Sequence, residues 1–288
     1  MFDYLLKKVR SATVRPAPFP HLRIDDFFSL GDFNEFLNSR EVTFEVQRSN
    51  ADLERQANQV GYVPIKFPGA FTDWAQYRED QDLRKSATGS DPGKHTASET
   101  RGLVLRLLEP TSRYMRDLTS FLDSGQLQRE ICNKLGIDFG ESFVDGGVQK
   151  YLNGYEIPPH PDVRQKLLTL LVPLHPSAYE PSGAHVSVGT HLLKFRPEFQ
   201  SVSHFWATHD HHDRCWVPWS WCETVDVHYQ SNSLLAFSPS NESLHGVKAQ
   251  YDHLRWQRTH LYSNVWHPKR SCERQPQYEE ILSYITNQ

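Results

Sequence analysis

Three side chains could share one metal ion: His160 and Asp162 in Pro158-Pro159-His160-Pro161-Asp162, and His245 in Leu244-His245-Gly246-Val247. In extended backbone, side chains alternate between faces. A His and an Asp two positions apart are therefore expected on one face, offering an imidazole nitrogen and a carboxylate oxygen to a single cation. His245 follows the apolar run 233–237 and a Pro239-Ser240-Asn241 turn, and Gly246 beside it permits close backbone approach. Two histidines and one carboxylate with open positions suit Fe(II) and oxygen chemistry. Arg258 lies thirteen residues beyond His245 (258 − 245). A guanidinium near such a metal can grip a distal carboxylate through two parallel hydrogen bonds, which lysine does less well.

Two competitors must be weighed. His209-Asp210-His211-His212-Asp213 contains a second His-x-Asp pair, His211 and Asp213. It sits in a polar, turn-rich stretch, so a solvated loop is expected there, with an adventitious metal-binding or substrate-facing loop as the alternative. Arg255 competes with Arg258. In a strand over 256–266, however, Trp256, Arg258, His260, Tyr262 and Asn264 share a polar and aromatic face, while Arg255 falls on the other. Trp216, Trp219 and Trp221 are expected to pack in the core or a lid rather than form a substrate cage.

These residues need a scaffold, and the chain has the means to build one. Hydrophobic residues make up 38%, with 7 Trp, 12 Tyr and 16 Phe, enough for a substantial core in a single domain over 1–288. Helical spacing is expected near 31–37, 50–60, 70–84, 111–123 and 125–135, so that 1–140 reads as a helix-rich part. Short β-compatible runs follow at 147–152, 166–174, 185–188, 224–229, 233–237 and 257–266, separated by Asn-Gly and Pro/Ser turns. They predict a β-sandwich or jelly-roll barrel over 141–270. In 271–288, Tyr278, Ile281, Leu282 and Ile285 are spaced i, i+3, i+4, i+7, which predicts a closing amphipathic helix. The stretch 86–94 reads as a surface loop, with a lid over the site as the alternative.

Composition narrows the partners. A formal net charge of −4 without a long basic run lacks the electrostatic footprint of a nucleic-acid binder. No apolar run approaches the roughly 18 residues of a membrane span, and the opening Met1-Phe2-Asp3-Tyr4 does not read as a signal peptide. Cys132, Cys215, Cys222 and Cys272 show no metal or redox spacing, as expected of reduced thiols in a cytoplasmic protein.

The stretch from Tyr151 through Gly154 to His160-Pro161-Asp162, then Lys166-Leu167-Leu168-Thr169-Leu170-Leu171, His245-Gly246-Val247 and Arg258, resembles the 2-oxoglutarate/Fe(II)-dependent oxygenases, prolyl-4-hydroxylase-like branch. Phe19-Pro20-His21-Leu22-Arg23-Ile24-Asp25-Asp26-Phe27-Phe28 is similar to the segment that often opens bacterial members. The likeness covers the motif regions of 145–266 and that opening, about half the chain, and leaves 40–140 unmatched. It implies a mainly β fold with flanking helices: a double-stranded β-helix, a jelly-roll or cupin-like barrel supported by N-terminal helices and a C-terminal helix. Iron would be held by His160, Asp162 and His245, with the C5 carboxylate of 2-oxoglutarate on Arg258. Tyr151 would be either a co-substrate contact or a core tyrosine. The expected reaction is O2-dependent hydroxylation of an unactivated C–H bond of a small molecule, with succinate and CO2 as co-products. Related halogenases replace the carboxylate ligand with a small residue, so Asp162 favours hydroxylation, desaturation or cyclisation. Where the branch often has a Tyr-rich strand followed by Leu-Asn, this chain has Val172-Pro173-Leu174-His175, and a prolyl substrate does not follow from the likeness. A protein or peptide side chain as substrate, a hydrolase or cupin-type dioxygenase without 2-oxoglutarate, and a metal-binding protein remain the alternatives.

Overall fold

A computed structural model of the chain describes residues 1–66, 70–86, 102–176, 188–268, 276 and 278–286. The N-terminal part supplies six helices: α1 (Asp3–Ser11), α2 (Leu30–Asn38), α3 (Asn50–Gln59), α4 (Trp74–Ser86), α5 (Arg113–Asp123) and α6 (Gln126–Leu135). Ser29, Ser49 and Ser112 cap α2, α3 and α5, each hydroxyl accepting from the backbone N–H three residues on. Between the helices run β1 (Val14–Arg15), β2 (His21–Ile24), β3 (Tyr62–Pro64), β4 (Ala70–Phe71) and β5 (Gly102–Leu107). The part expected to be helix-rich therefore also contributes five strands, of which β2 falls in 19–28, a stretch that reads as a short strand running into a turn. The six-residue Gly-Leu-Val-Leu-Arg-Leu run is a strand because it pairs with β3 and with the first strand of the second half. A short apolar run carries no period that tells strand from helix.

From Phe143 onward the chain lays eight strands into two sheets, in the order large, small, large, small, small, large, small, large. The larger takes β6 (Phe143–Tyr151), β8 (Lys166–Pro173), β11 (Leu234–Phe237) and β13 (Arg258–Trp266). The smaller takes β7 (Glu156–His160), β9 (Thr190–Phe195), β10 (Cys222–His228) and β12 (His245–Lys248). The larger sheet has the order β1-β2-β11-β8-β13-β6-β5-β3, with β4 parallel to β5, and the smaller the order β10-β9-β12-β7. All other pairings among the described strands are antiparallel.

The packing follows from alternation along the strands. The outer face of the large sheet, with Val148, Leu170, Val172, Leu261 and Val265, is covered by Leu5, Leu118, Leu122 and Ile131 of the N-terminal helices. Its inner face meets the small sheet around Leu171, Leu192, Leu235 and Phe237. Outside the small sheet, Leu193 and Phe195 pack against α7 (Ser201–Thr208) and α8 (Tyr278–Thr286) through Phe205, Trp206 and Ile281. The molecule is thus layered as helices, large sheet, small sheet, helices.

Strands β7, β9 and β12 and helices α1 and α7 were not expected from the sequence. β12, His-Gly-Val-Lys, is four residues long and is buried through its two neighbours rather than by an alternating pattern of its own. Residues 185–187 of one expected strand, positions 87–94 of the expected loop and Cys272 lie outside the described residues. No helix among the described residues is long and apolar enough to cross a membrane.

Candidate metal centre and its cavity

His160 ends β7 and His245 opens β12, and the two residues are directly paired across the small sheet, with ring centroids 4.3 Å apart. Asp162 arrives differently from the expected alternation. β7 stops at His160, and Asp162 adopts a left-handed conformation (φ 57°) in the turn beyond it. Asp tolerates that region better than most residues, and the turn swings the carboxylate back over the imidazoles. Asp162 Oδ1 lies 3.5 Å from His160 Nε2, and Oδ2 lies 3.6 Å from His245 Nε2. Among the described residues this is the one group of three such side chains whose ligand atoms converge, all within 4.8 Å.

Each imidazole is oriented from behind. His160 Nδ1 donates to the Pro158 carbonyl (2.8 Å) and His245 Nδ1 to the Ser243 carbonyl (3.1 Å). Those bonds fix the tautomer and leave both Nε2 lone pairs facing the centre. Burial, then the neighbouring His160, pushes His245 down to about 3, so it is neutral, as a metal ligand must be. Burial alone would raise the Asp162 carboxyl. Lys166, His245 and His160 outweigh it and hold the group well below the usual carboxylate range. Lys166 Nζ donates to Oδ1 (2.8 Å) and Thr169 Oγ1 to Oδ2 (2.7 Å), which orients the carboxylate and still leaves each oxygen a lone pair. Gly246 is where the sheet needs no side chain: an added Cβ would lie 2.8 Å from the Trp219 ring and 3.2 Å from the Ile157 carbonyl oxygen. That ring is held by Trp219 Nε1 donating to Glu156 Oε1 (2.8 Å).

The triad opens onto a cavity of about 420 Å3 between the sheets. Arg258, His260, Tyr262 and Asn264 of β13 line it, on the shared face that strand parity predicts. Arg258 is 3% exposed. Its Nε donates to the Val188 carbonyl (2.5 Å), one terminal nitrogen donates to Thr190 Oγ1 (3.1 Å), and the guanidinium sits 4.7 Å from the Tyr151 ring centroid. Burial lowers its pKa, and the neighbouring Tyr151, Tyr155 and Tyr251 act in the opposite direction. Among the described residues no carboxylate pairs with it. Arg255 is exposed and outside the cavity. Tyr151 lines the cavity, with its hydroxyl donating to Gln149 Oε1 (2.6 Å) and burial raising its pKa to about 12.

The second His-x-Asp pair does not converge. Asp213 Oδ1 instead accepts from the backbone N–H of Arg164 (2.8 Å) and Arg214 (2.9 Å). The three tryptophans divide: Trp216 lines the cavity, Trp219 packs on Gly246, and Trp221 stacks on Phe199 in the outer core. Sequence reasoning passed over Lys166, Thr169, Thr190, Arg106, Asp145 and Arg214. The first two follow Asp162 by four and seven positions, a spacing that signals nothing until β8 turns back beside it.

No family model matches the chain, and no curated protein matches it. Among solved structures it is similar to a prolyl-4-hydroxylase from Pseudomonas putida, with 10% identity over 93% of this chain and 99% of the other and a TM-score of 0.45. It is also similar to a prolyl hydroxylase from Trichoplax adhaerens in complex with a hypoxia-inducible-factor degradation-domain peptide, with 14% identity over 85% of this chain and 97% of the other and a TM-score of 0.32.

Proposed function

We propose that this chain is an Fe(II)- and 2-oxoglutarate-dependent oxygenase that hydroxylates an unactivated C–H bond of a small molecule. The distribution of eight successive strands, four to each of two facing sheets, supports reading the core as a double-stranded β-helix. The donor set supports iron: two imidazoles held in the ligating tautomer, one ionised carboxylate and no fourth His, Cys, Asp or Glu among the described residues at that point, whereas a structural zinc site is closed by four ligands.

The observation that carries the reading is Arg258. His245 is paired with Leu192 on β9, and Thr190, which accepts from Arg258, lies two residues further along that strand. Two residues of strand span about 7 Å. A buried guanidinium with no carboxylate partner among the described residues thus stands within reach of the centre for a five-carbon dicarboxylate, chelated through one end and held by the other. A hydrolase on the same ligands has no use for that cation.

Bound iron, with 2-oxoglutarate and O2, supplies the oxidant, and succinate and CO2 leave as co-products. The chain's residues do the rest. Arg258 grips the far carboxylate, the carbonyls of Pro158 and Ser243 aim the histidines, and Tyr151, Tyr155 and Val247 wall the inner end against water. Anaerobic protein with Fe(II) and 2-oxoglutarate should show the weak visible charge-transfer absorption of the chelate, and Asp162→Ala and His245→Ala should each abolish it. A band and succinate formation that survive both substitutions would refute the assignment.

A further inference from the structure

The cavity wall changes character along β13. Arg258, assigned above to the co-substrate, opens the strand, while Tyr262, Asn264 and Trp266 line the cavity from its later half. Six residues of strand (264 − 258), about 20 Å, separate Arg258 from Asn264. Asn264 is paired on one side with Thr169 of β8, whose hydroxyl donates to Asp162, and on the other with Asp145 of β6. Residues directly opposite one another on neighbouring strands face the same way. Asp145, Asn264 and Thr169 therefore form one row in the cavity wall, and the row ends beside the Asp162 carboxylate.

Two members of that row have hydrogen-bonding capacity to spare. Asn264 is 6% exposed, and its buried Oδ1 has no hydrogen-bond partner among the described residues. A buried acceptor left unpaired is costly, and a ligand relieves that cost. A half-turn of the amide turns either its oxygen or its NH2 to the cavity, so the fitting partner is a group that both donates and accepts. Asp145 is a carboxylate whose charge is already balanced. Arg106 donates to its Oδ1 (3.1 Å) and Oδ2 (3.4 Å), and the Tyr262 hydroxyl donates to Oδ2 (2.9 Å). With about two lone pairs on each oxygen, Oδ2 is filled and Oδ1 keeps one acceptor site. A neutral donor suits that site better than an ammonium group, because the guanidinium already supplies the opposite charge. Trp266, two residues beyond Asn264 on the same face of β13, adds a partly buried aromatic surface to the same wall.

We propose that the substrate is a polyol: a sugar or hydroxylated ring that sets adjacent hydroxyls on Asp145 and Asn264 and lays its C–H face against Trp266. A hydroxyl donates to Asp145 Oδ1 and meets either edge of the Asn264 amide. Cross-strand neighbours stand about 5 Å apart at Cβ, close enough for both side chains to reach neighbouring hydroxyls of one ring. A cavity of about 420 Å3 encloses a molecule of that size. The proposal rests on the oxygenase reading, because Thr169 joins the row to a proposed metal ligand and so sets the bound ring beside the oxidising centre.

The test uses the full chain, kept anaerobic and loaded with Mn(II), which accepts the same ligand types, and saturated with 2-oxoglutarate. D-Glucose, D-ribose and myo-inositol are titrated beside analogues lacking one hydroxyl and beside free amino acids, with binding followed by calorimetry and by tryptophan fluorescence. At least one polyol should bind, with its deoxy analogue about tenfold weaker. Asn264→Ala should weaken polyol binding by about tenfold while thermal stability holds, because the amide oxygen has no partner to lose. A residue that served the fold alone would show the reverse. Trp266→Ala should also cost about tenfold, Trp266→Phe should keep most of the affinity, and 2-oxoglutarate affinity should move by less than about twofold in each variant. Amino acids binding in place of polyols, deoxy analogues binding as well as their parents, unchanged polyol affinity in Asn264→Ala, or no polyol binding to wild type would each overturn the proposal. Failure of wild type to bind 2-oxoglutarate would instead overturn the oxygenase reading.

Discussion

Thr169 shows how much of the site is built one contact away from the proposed metal ligands. Its hydroxyl donates to Asp162 Oδ2 at 2.7 Å and orients a carboxylate that no strand holds, since Asp162 lies past the end of β7. Partners of this kind are worth about 10- to 100-fold in metal affinity. Thr169→Val, nearly isosteric, should therefore weaken Fe(II) binding by about tenfold with little change in thermal stability, which an anaerobic metal titration would read. Arg258→Lys keeps the charge and loses the two-toothed grip, so the 2-oxoglutarate Kd should rise by about tenfold or more, with metal affinity unaltered. At this scale the sequence showed which side chains meet where residue type itself carries chemistry: His160, Asp162, His245 and Arg258, picked out from type, spacing and likeness, line one cavity. Lys166, Thr169 and Thr190 could not be picked out, because an ordinary Lys or Thr becomes a partner only through the register of strands distant in the chain.

β13 was the most legible element. Its alternation separated Arg258, His260, Tyr262 and Asn264, which face the cavity, from Leu261 and Val265, which face the helices. β12 was the least legible: its four residues carry a ligand, a glycine and no pattern. The same parity argument misled at Asp162, where a left-handed residue replaces the assumed extended one. Gly246→Ala would drive a methyl group into the Trp219 ring and toward the β7 backbone. Overpacking of this kind costs about 1–3 kcal/mol. The variant should lower the denaturant midpoint and also weaken metal binding, because β7 carries His160. Residues 213–217 are tied to the stretch beyond β7 by Asp213 at one end and by the Val217 N–H donating to the Pro159 carbonyl (2.9 Å) at the other, and Asp213→Ala should release the first of these ends. Hydrogen exchange at the Val217 amide should then accelerate, while metal affinity stays near wild type.

The whole molecule encloses its polar cavity between two hydrophobic layers, and that enclosure has a cost in acid. Burial, then Arg23, lowers His228 to about 3, and burial, then Arg258, holds His260 well below the usual histidine range. Both are neutral when folded and take up protons near pH 6.5 when unfolded. Their folded pKa values are depressed, so stability is fully present above about pH 6.5 and is lost as pH falls toward 3. These two rings alone contribute a loss approaching about 2.7 kcal/mol per pH unit at its steepest, and His245, lowered to about 3, adds to it in metal-free protein. Urea midpoints for metal-free protein should drop between pH 7.5 and 5, and His228→Phe should flatten the slope by about one proton. A midpoint independent of pH in this window would contradict the burial of these rings. The broad architecture, helices around a β-rich core with a closing helix, could be read from composition and periodicity. The pairing of N-terminal strands into the large sheet could not, because that contact joins segments more than two hundred residues apart, as between β2 and β11.

The central claim is that Arg258 makes this metal centre a 2-oxoglutarate site. It is tested most directly by comparing, on anaerobic Fe(II)-loaded protein, the affinity for 2-oxoglutarate with that for 2-oxopentanoate, which keeps the chelating end and replaces the far carboxylate with a methyl group. Wild type should prefer 2-oxoglutarate by about 100-fold, and Arg258→Gln should lose most of that preference by weakening 2-oxoglutarate alone. Equal affinity for the two acids in wild type, or a preference that survives Arg258→Gln, would contradict the account.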